Sequence, residues 1–426
     1  MNKLLEVIGN IYDIRGNIDC IRKVQMDSRK VEKGDIFFAI NNGEKYIDEV
    51  LIKGASLVIT NNEKWKQNSK ILVVENVIES MQIIAKEYRK NLKTRIIGII
   101  GSNGKTTVKD ILYSIINSNY NSKKTEGNYN NHIGVPYSIL QIEEKDKYGI
   151  IEIGMSNFGE IKILCEIAGL DYSIITNIGD SHLEFMLNRE NVFLEKSVVK
   201  NYVENSHLLF FGDDFYLKSL KGVSVGFNQE NKHIISEYKL EKNGSSFKLD
   251  RETYNTNLYG KHNCISTSLG IQMALMLGLS VTQVKKGLKN IRITPMRFEK
   301  IEKKGITFIN DSYNASPISM KYSLDTFSDL KSNKDKIVVL GDMEELGEET
   351  INFHLDVIEY ALKKNFKKIF LYGAKMEKAL EGIKSKSNIV SFQDKSEIKE
   401  IIYREFNGKL ILIKGSNFNQ LWKIIE

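Results

Sequence analysis

Seven consecutive residues, Gly101-Ser102-Asn103-Gly104-Lys105-Thr106-Thr107, bring together the parts that hold a triphosphate. The glycines let backbone N–H groups converge on an anion, Lys105 adds a point charge, and Thr106 adds a hydroxyl suited to Mg²⁺. The run is entered from the apolar stretch Ile96-Ile97-Gly98-Ile99-Ile100, and residues 108–116 after it read as a helix whose positive end faces the same point. The spacing departs from the usual G-x-x-x-x-G-K-[ST] loop, because its first glycine would fall at Ile99, with Gly98 and Gly101 on either side. We read a shortened nucleotide-triphosphate cradle, favoured over a bare strand-to-helix turn by the order of glycine, lysine and paired threonines.

Other chemistry-bearing side chains stand where apolar runs end, which is where open α/β sheets bind ligands. Glu152 closes Gly149-Ile150-Ile151 and suits a second magnesium anchor. His182 follows Ile174-Ile175-Thr176-Asn177-Ile178-Gly179; taken alone it is either a hydrogen-bonded structural residue or a ligand. Lys196, in a helical reading of residues 191–200, shares a face with Val192, Phe193 and Val199. Held against that stripe, its ammonium either snorkels to water or is buried, its pKa lowered and its amine nucleophilic. Downstream, Asn310-Asp311-Ser312-Tyr313-Asn314-Ala315-Ser316-Pro317 suits a ribose and purine or, equally, a capped helix start. Gly341-Asp342-Met343 and Lys414-Gly415-Ser416 also follow strand-like runs, so three polar clusters sit at strand ends of one region.

The elements that must position these residues fall into three blocks, as a length of 426 residues leads one to expect. Residues 1–93 carry short strands and helices, enough for a small α/β domain. Residues 94–293 alternate helices with continuous apolar strands at 96–100, 149–153, 172–178 and 207–211, a pattern of strands covered on both faces in a parallel sheet. Residues 294–426 repeat it at 306–309, 337–340, 368–372 and 410–413, which predicts a second doubly wound, Rossmann-like domain. The fold class is thus α/β in three domains, the central one resembling a P-loop ATPase. The three prolines, Pro136, Pro295 and Pro317, are expected to fix turns.

Composition narrows the partners. The 61 Lys+Arg against 54 Asp+Glu leave a net charge of +7, but the basic residues are interleaved with acids and form no aromatic-laced basic stripe. No nucleic acid partner is expected. Cys20, Cys165 and Cys264 are odd in number and widely spaced, which suggests a reducing compartment and neither a disulfide framework nor a zinc site. No run approaches the ~20 apolar residues of a membrane span, and a charge follows Met1-Asn2 before any leader could develop. A cytoplasmic protein is expected.

Taken in order, Gly101–Thr107, Asn128-Tyr129-Asn130-Asn131-His132-Ile133-Gly134-Val135-Pro136, Ile151-Glu152-Ile153-Gly154-Met155-Ser156, Thr176-Asn177-Ile178-Gly179 with His182, Glu195-Lys196-Ser197, Gly260-Lys261-His262-Asn263, Met296-Arg297, Asn310–Pro317 and Gly341-Asp342-Met343 resemble the Mur ligase family. The string N-D-S-Y-N-A-S-P and the string G-M-S-x-F-G-E-I make the chain most like the members that join D-alanyl-D-alanine to a UDP-N-acetylmuramoyl-tripeptide. The resemblance spans all three blocks. It implies ATP as co-substrate, with its phosphates on Gly101, Ser102, Asn103, Gly104, Lys105, Thr106 and Thr107. Two Mg²⁺ ions are implied, one on Thr106 and Glu152, the other on His182 and a Lys196 carbamylated by CO₂. Asn263 would lie near adenine, Arg297 near the phosphates, and Asp311, Tyr313 and Asn314 around the adenosine. Ser28 and Arg29, within Asp27-Ser28-Arg29 and followed by Gly34-Asp35-Ile36-Phe37, would receive the uridine diphosphate end; Asn130, Asn131, Lys414 and Ser416 would contact the substrates. Lys105, Glu152, His182 and Lys196 are the implied catalytic set, in a protein expected to be a monomer without membrane insertion.

The chain departs from the family in two places. Lys45-Tyr46-Ile47-Asp48-Glu49 replaces an acidic-Gly-His element, and Asn417-Phe418-Asn419-Gln420 replaces an arginine-bearing stretch. The implied reaction is amide ligation through an acyl phosphate, with the last domain closing over the central one about a hinge near Thr294-Pro295 to exclude water. A sister ligase adding a single amino acid, a folylpolyglutamate synthetase and, more distantly, a non-ligating regulatory ATPase are the other readings.

Overall fold

The computed structural model describes residues 2–16, 18, 21–384 and 387–426. Cys20 lies outside the described residues; Cys165 and Cys264 are buried. The chain forms two compact units, Met1–Ile100 with Asn119–Ile174 and Val198–Leu208, and Gly101–Ser118 with Ile175–Ser197 and Leu209–Glu426.

In the first unit a parallel four-stranded sheet runs Val24–Gln25, Ile36–Phe38, Leu57–Thr60, Ile71–Val73. Its strands are too short to alternate visibly, and Phe37, Val58, Val50 and Ala55 close a core around them. The same unit orders Ser122–Lys124, Tyr148–Glu152, Arg95–Ile100 and Tyr172–Ile175 side by side. The reading of strands buried on both faces holds here, since Ile96, Ile97, Ile99, Ile100, Ile150 and Ile151 have no exposed surface.

The second unit opens with the helix Lys105–Asn117, longer than its sequence pattern implied because Gly104, in left-handed backbone (φ 82°), lets the helix begin at Lys105. The strand expected at 172–178 stops at Ile175, because Asn177 and Gly179 use their backbone groups on the loop after Gly101 instead. Leu208–Phe211, Val223–Gly226 and His233–Glu241 pair in parallel, but Gly244–Leu249 and Glu252–Thr256 follow as an antiparallel meander absent from the sequence reading.

The last sheet runs Glu299–Lys303, Ile306–Asn310, Leu410–Lys414, Lys336–Gly341, Lys368–Tyr372, Ile389–Phe392, parallel except for its first strand. Alternate residues serve opposite faces: Ile337, Val339, Ile411 and Ile413 join one core, and Val338, Leu340, Leu410 and Leu412 the other. Helices therefore cover both sides, as expected of a Rossmann-like domain. Two prolines do not make turns. Pro136 lies in the first turn of the helix Gly134–Leu140 and Pro317 begins the helix Pro317–Asp329, where a missing N–H costs nothing.

Candidate active site

The loop after Gly101 is held by the segment that left the strand early. Ser102 N donates to Asn177 O (2.9 Å), Asn103 N to Asn177 Oδ1 (3.0 Å) and Gly179 N to Ser102 Oγ (2.9 Å). Thr176 Oγ1 and Asn177 Nδ2 both donate to Asn103 O, at 2.6 and 3.0 Å. Gly101 has φ 142°, and a Cβ there would collide with Thr176 Oγ1. Glycine is therefore required by backbone and by space. Lys105 Nζ folds back onto Gly101 O (2.8 Å) and Ser102 O (3.4 Å), within reach of any anion the loop holds. Two residues from the chain beyond 293 reach the same loop. Arg297 Nη2 donates to Thr106 Oγ1 (3.2 Å) while its guanidinium lies 4.1 Å over the Tyr313 ring, and Ser316 Oγ donates to Asn103 Oδ1 (2.9 Å).

Lys196, on the helix Arg189–Ser197, does not snorkel. It has no exposed surface, and its Nζ has no hydrogen-bond partner among the described residues. Burial first, and Lys105 second, drive its pKa well below the ordinary lysine value against the pull of Glu195. A neutral buried amine is a nucleophile. His182 sits in left-handed backbone (φ 58°), with its Nδ1 2.5 Å from Glu345 Oε2. That contact holds the Glu345 carboxyl below its usual value against burial.

Glu152 belongs to the first unit and is buried at the end of its strand. Asn130 Nδ2 donates to its Oε1 (2.9 Å), and Glu152 N donates to Thr125 Oγ1 (3.0 Å). Asn130 therefore orients the carboxylate. Asn131 serves the backbone instead, its Oδ1 capping the next helix by accepting from Ile133 N (3.1 Å) and Gly134 N (2.9 Å).

The third group is more structural than its residue types suggested. Lys414 Nζ is buried and donates to Asp311 Oδ2 (2.7 Å), Asn314 O (3.2 Å) and Asp311 O (3.5 Å). Its pKa is lowered by burial, with Asp311 opposing. Asp311 also accepts from Phe298 N (3.1 Å) and from Ser323 Oγ. The sequence reading assigned Lys414 and Asp311 to different ligands; their charged groups face each other. Asn314 Oδ1 accepts from Ala315 N (2.9 Å), and Ser316 caps the following helix in a capping box. The capped-helix reading thus accounts for Ser316, and Tyr313 turns to Arg297. Asp342 likewise accepts from Lys375 N and Met376 N at 3.2 and 2.8 Å. Ser416 is buried, and its Oγ has no hydrogen-bond partner among the described residues. Asn263, on the first turn of Lys261–Met276, donates to Tyr259 O (2.9 Å) and is buried. At the other end of the chain, Ser28 is buried while Arg29 projects outward and pairs with Asp27 through two 2.8 Å bonds, holding the Asp27 carboxyl at about 2.

Residues 99–273 match the Mur ligase middle domain, and residues 296–417 match the Mur ligase, glutamate ligase domain. The UDP-N-acetylmuramoyl-tripeptide--D-alanyl-D-alanine ligase of Bacillus subtilis is 30% identical over 95% of this chain and 93% of its own length. The chain belongs to the Mur ligase family. Two solved structures are also similar: MurF from Acinetobacter baumannii, with a TM-score of 0.86 at 25% identity over 100% of this chain and 97% of that one, and MurF from Thermotoga maritima in complex with ADP, with a TM-score of 0.83 at 26% identity over 95% and 96%. This Mur ligase is thus an ATP-dependent ligase with the three-domain α/β architecture of its family.

Mg²⁺ is content with one or two protein oxygens and the rest from phosphate and water, and the Thr106 hydroxyl and the Glu152 carboxylate are each an oxygen of that kind. Among the described residues no three His, Cys, Asp or Glu side chains converge as a ready-made metal cage, and the partnerless amine of Lys196 is the group whose conversion to a carbamate would add a ligand. Glu345 and Asp110 escaped the sequence reading. Asp110 Oδ2 accepts from both Thr294 N and Thr294 Oγ1, at 2.7 and 2.8 Å. Glu345 lies just past a motif the sequence did display, Gly341-Asp342-Met343, and nothing in its type or spacing distinguished it from a solvated glutamate.

Proposed function

We propose that this Mur ligase joins D-alanyl-D-alanine to UDP-N-acetylmuramoyl-tripeptide, the last cytoplasmic step in making the peptidoglycan precursor. The acceptor is supported by near full-length likeness to ligases of that name. The chemistry rests on one observation above all: a buried, unpartnered Lys196 in the unit that carries the nucleotide loop.

A tripeptide carboxylate oxygen attacks the γ-phosphorus of ATP, the bond to the β-phosphate oxygen breaks, and ADP leaves an acyl phosphate. The amine of D-alanyl-D-alanine attacks the acyl carbon, loses a proton, and the tetrahedral adduct expels phosphate. The loop 101–107 orients the triphosphate through its backbone N–H groups. Lys105 and Arg297 supply fixed positive charge to the transferred phosphoryl group. Thr106, Glu152, His182 and a carbamylated Lys196 would hold two Mg²⁺ ions, which supply Lewis-acid charge neutralisation when bound. Asn263, Tyr313 and Asn314 are assigned to the adenosine, Ser28 and Arg29 to the uridine diphosphate, Asn130 to the muramyl peptide and Ser416 to the incoming dipeptide. Lys414, Asp311 and Asn131 act by holding backbone and neighbours in place.

We assign residues 1–93 to the UDP-linked substrate, 94–293 to ATP and 294–426 to the amine, and expect a cytoplasmic monomer that binds no nucleic acid. No helix among the described residues is long and apolar enough to cross a membrane. Mass analysis of the product from ATP, UDP-muramyl-tripeptide and D-alanyl-D-alanine tests the reading. A new amide with one ADP released per bond is expected. Phosphate release without a new amide, or coupling only to single amino acids or to glutamate on a folate, overturns it.

A further inference from the structure

The carboxylate of Asp180 is buried, and Arg189 grips both of its oxygens, one through Nε and one through Nη2. The pair closes a short loop in the second unit. Asp180 follows Gly179, whose N–H donates to Ser102 Oγ (2.9 Å) on the phosphate loop, and it precedes Ser181-His182. Arg189 opens the helix Arg189–Ser197. Between them the chain turns through Leu183–Met186, flanked by His182 at φ 58° and Leu187 at φ 69°, neither of them a glycine. Backbone of that kind persists only where its surroundings impose it. The Asp180–Arg189 clasp imposes it from outside the turn, and Asn191 Nδ2, donating to Met186 O (2.8 Å), ties the turn to the same helix. A cation in the first turn opposes the helix dipole, so helix formation by itself does not account for Arg189.

An α-helix advances about 100° per residue, so positions seven apart fall within about 20° of each other. Arg189 and Lys196 therefore share a face. Val192 lies between them on it, and Val192 and Lys196 have no exposed surface, whereas Glu190 and Leu194 on the far side are exposed. Anchoring Arg189 to Asp180 fixes the rotation of the helix about its axis, and the face turned inward is the one that carries Lys196. Lys105 lies near enough to depress the Lys196 amine, so that face is directed at the phosphate loop. We infer that Arg189 is a positioning residue: by clasping Asp180 it sets the rotation of its helix so that Lys196 faces the phosphate loop, and it holds the His182 turn beside the same loop. This rests on the ligase reading only in the use that reading makes of Lys196 and His182. One ion pair thus registers two elements of the site against each other before any ligand arrives.

The test is acetic anhydride labelling of the whole chain in CO₂-free buffer without nucleotide. Mass spectrometry reads Lys196 and, as an internal reference, Lys109, a second buried lysine of the same unit on the helix Lys105–Asn117. Both are expected to stay unlabelled in the parent. Arg189→Ala is expected to raise labelling of Lys196 by about tenfold or more while Lys109 stays protected, because one helix turns and the rest of the unit keeps its fold. In the same variant kcat should fall about 10- to 100-fold, with KM for tripeptide and dipeptide within about twofold. Arg189→Lys, which keeps the cation and one bond to Asp180, is expected to recover part of the turnover and most of the protection. A labelled Lys196 in the parent, unchanged labelling of Lys196 in Arg189→Ala, labelling of Lys109 that rises in step with it, or an unchanged kcat overturns the proposal. Should Arg189→Ala not fold, Asp180→Asn, which keeps the shape and removes the charge and one accepting oxygen, is read in the same way. Should the parent form no amide, the ligase reading fails while the labelling pattern still decides this one.

Discussion

Replacing Lys196 with methionine separates what the fold wants from what the reaction needs. The side chain is sealed from solvent with a partnerless amine. A buried donor left unsatisfied costs about 1–3 kcal/mol, and methionine keeps an unbranched stem of similar volume without the polar atom. In CO₂-free buffer without nucleotide, Lys196→Met is therefore expected to unfold at higher urea concentration, with a gain of about 1–3 kcal/mol, while ligase turnover falls to background. Added bicarbonate should stabilise the parent chain and leave the variant unmoved, because only the lysine can form a carbamate. Urea unfolding followed by far-UV circular dichroism, with ADP release on the same samples, measures both. A variant that is less stable than the parent, or one that still forms amide, refutes the reasoning.

Lys414→Met strands the buried Asp311 carboxylate and should cost about 3–5 kcal/mol, most of which the double variant with Asp311→Leu recovers; additive losses in a urea double-mutant cycle would show that the pair is not coupled. Gly101→Ala puts a Cβ against Thr176 Oγ1 at a φ of 142°, so ADP affinity by calorimetry should fall by roughly 100-fold if the loop takes up about 3 kcal/mol of strain, with global stability little changed. His262, packed on Tyr322 and Phe298, has its pKa lowered to about 4 by burial first, with Asp311 opposing. The unfolded chain takes that proton near pH 6.5 and the fold does not, so stability present above pH 6.5 is lost as pH falls toward 4, by about 3 kcal/mol at most. His262→Phe should flatten that part of the urea-midpoint profile, and an unchanged slope between pH 7 and 5 would contradict it.

The phosphate loop, the doubly wound last sheet and the lysine on an apolar stripe were legible because each is a local pattern: glycine, lysine and threonine in order, uninterrupted Ile and Val runs, and Val192 and Val199 around Lys196. The hairpin at residues 241–244 went unread although Asn243-Gly244 signals one, since its strands are polar and half exposed. Partnerships between distant segments were invisible. Nothing local says that Lys414 donates to Asp311, that Ser316 reaches Asn103, or that Asp110 holds Thr294, because each depends on how strands 100 or more residues apart are stacked. The strand ending at Ile175 was overextended for the same reason, its backbone groups being claimed by a loop that periodicity cannot see.

The stretch from Thr294 to Phe298 is pinned at both ends. Met296 and Phe298 both adopt positive φ, 62° and 55°, and a carboxylate grips each end, Asp110 at Thr294 and Asp311 at Phe298. Asp110 rides on the same helix that begins with Lys105. The segment that leads into the last sheet is thus hydrogen-bonded to the helix that starts at Lys105.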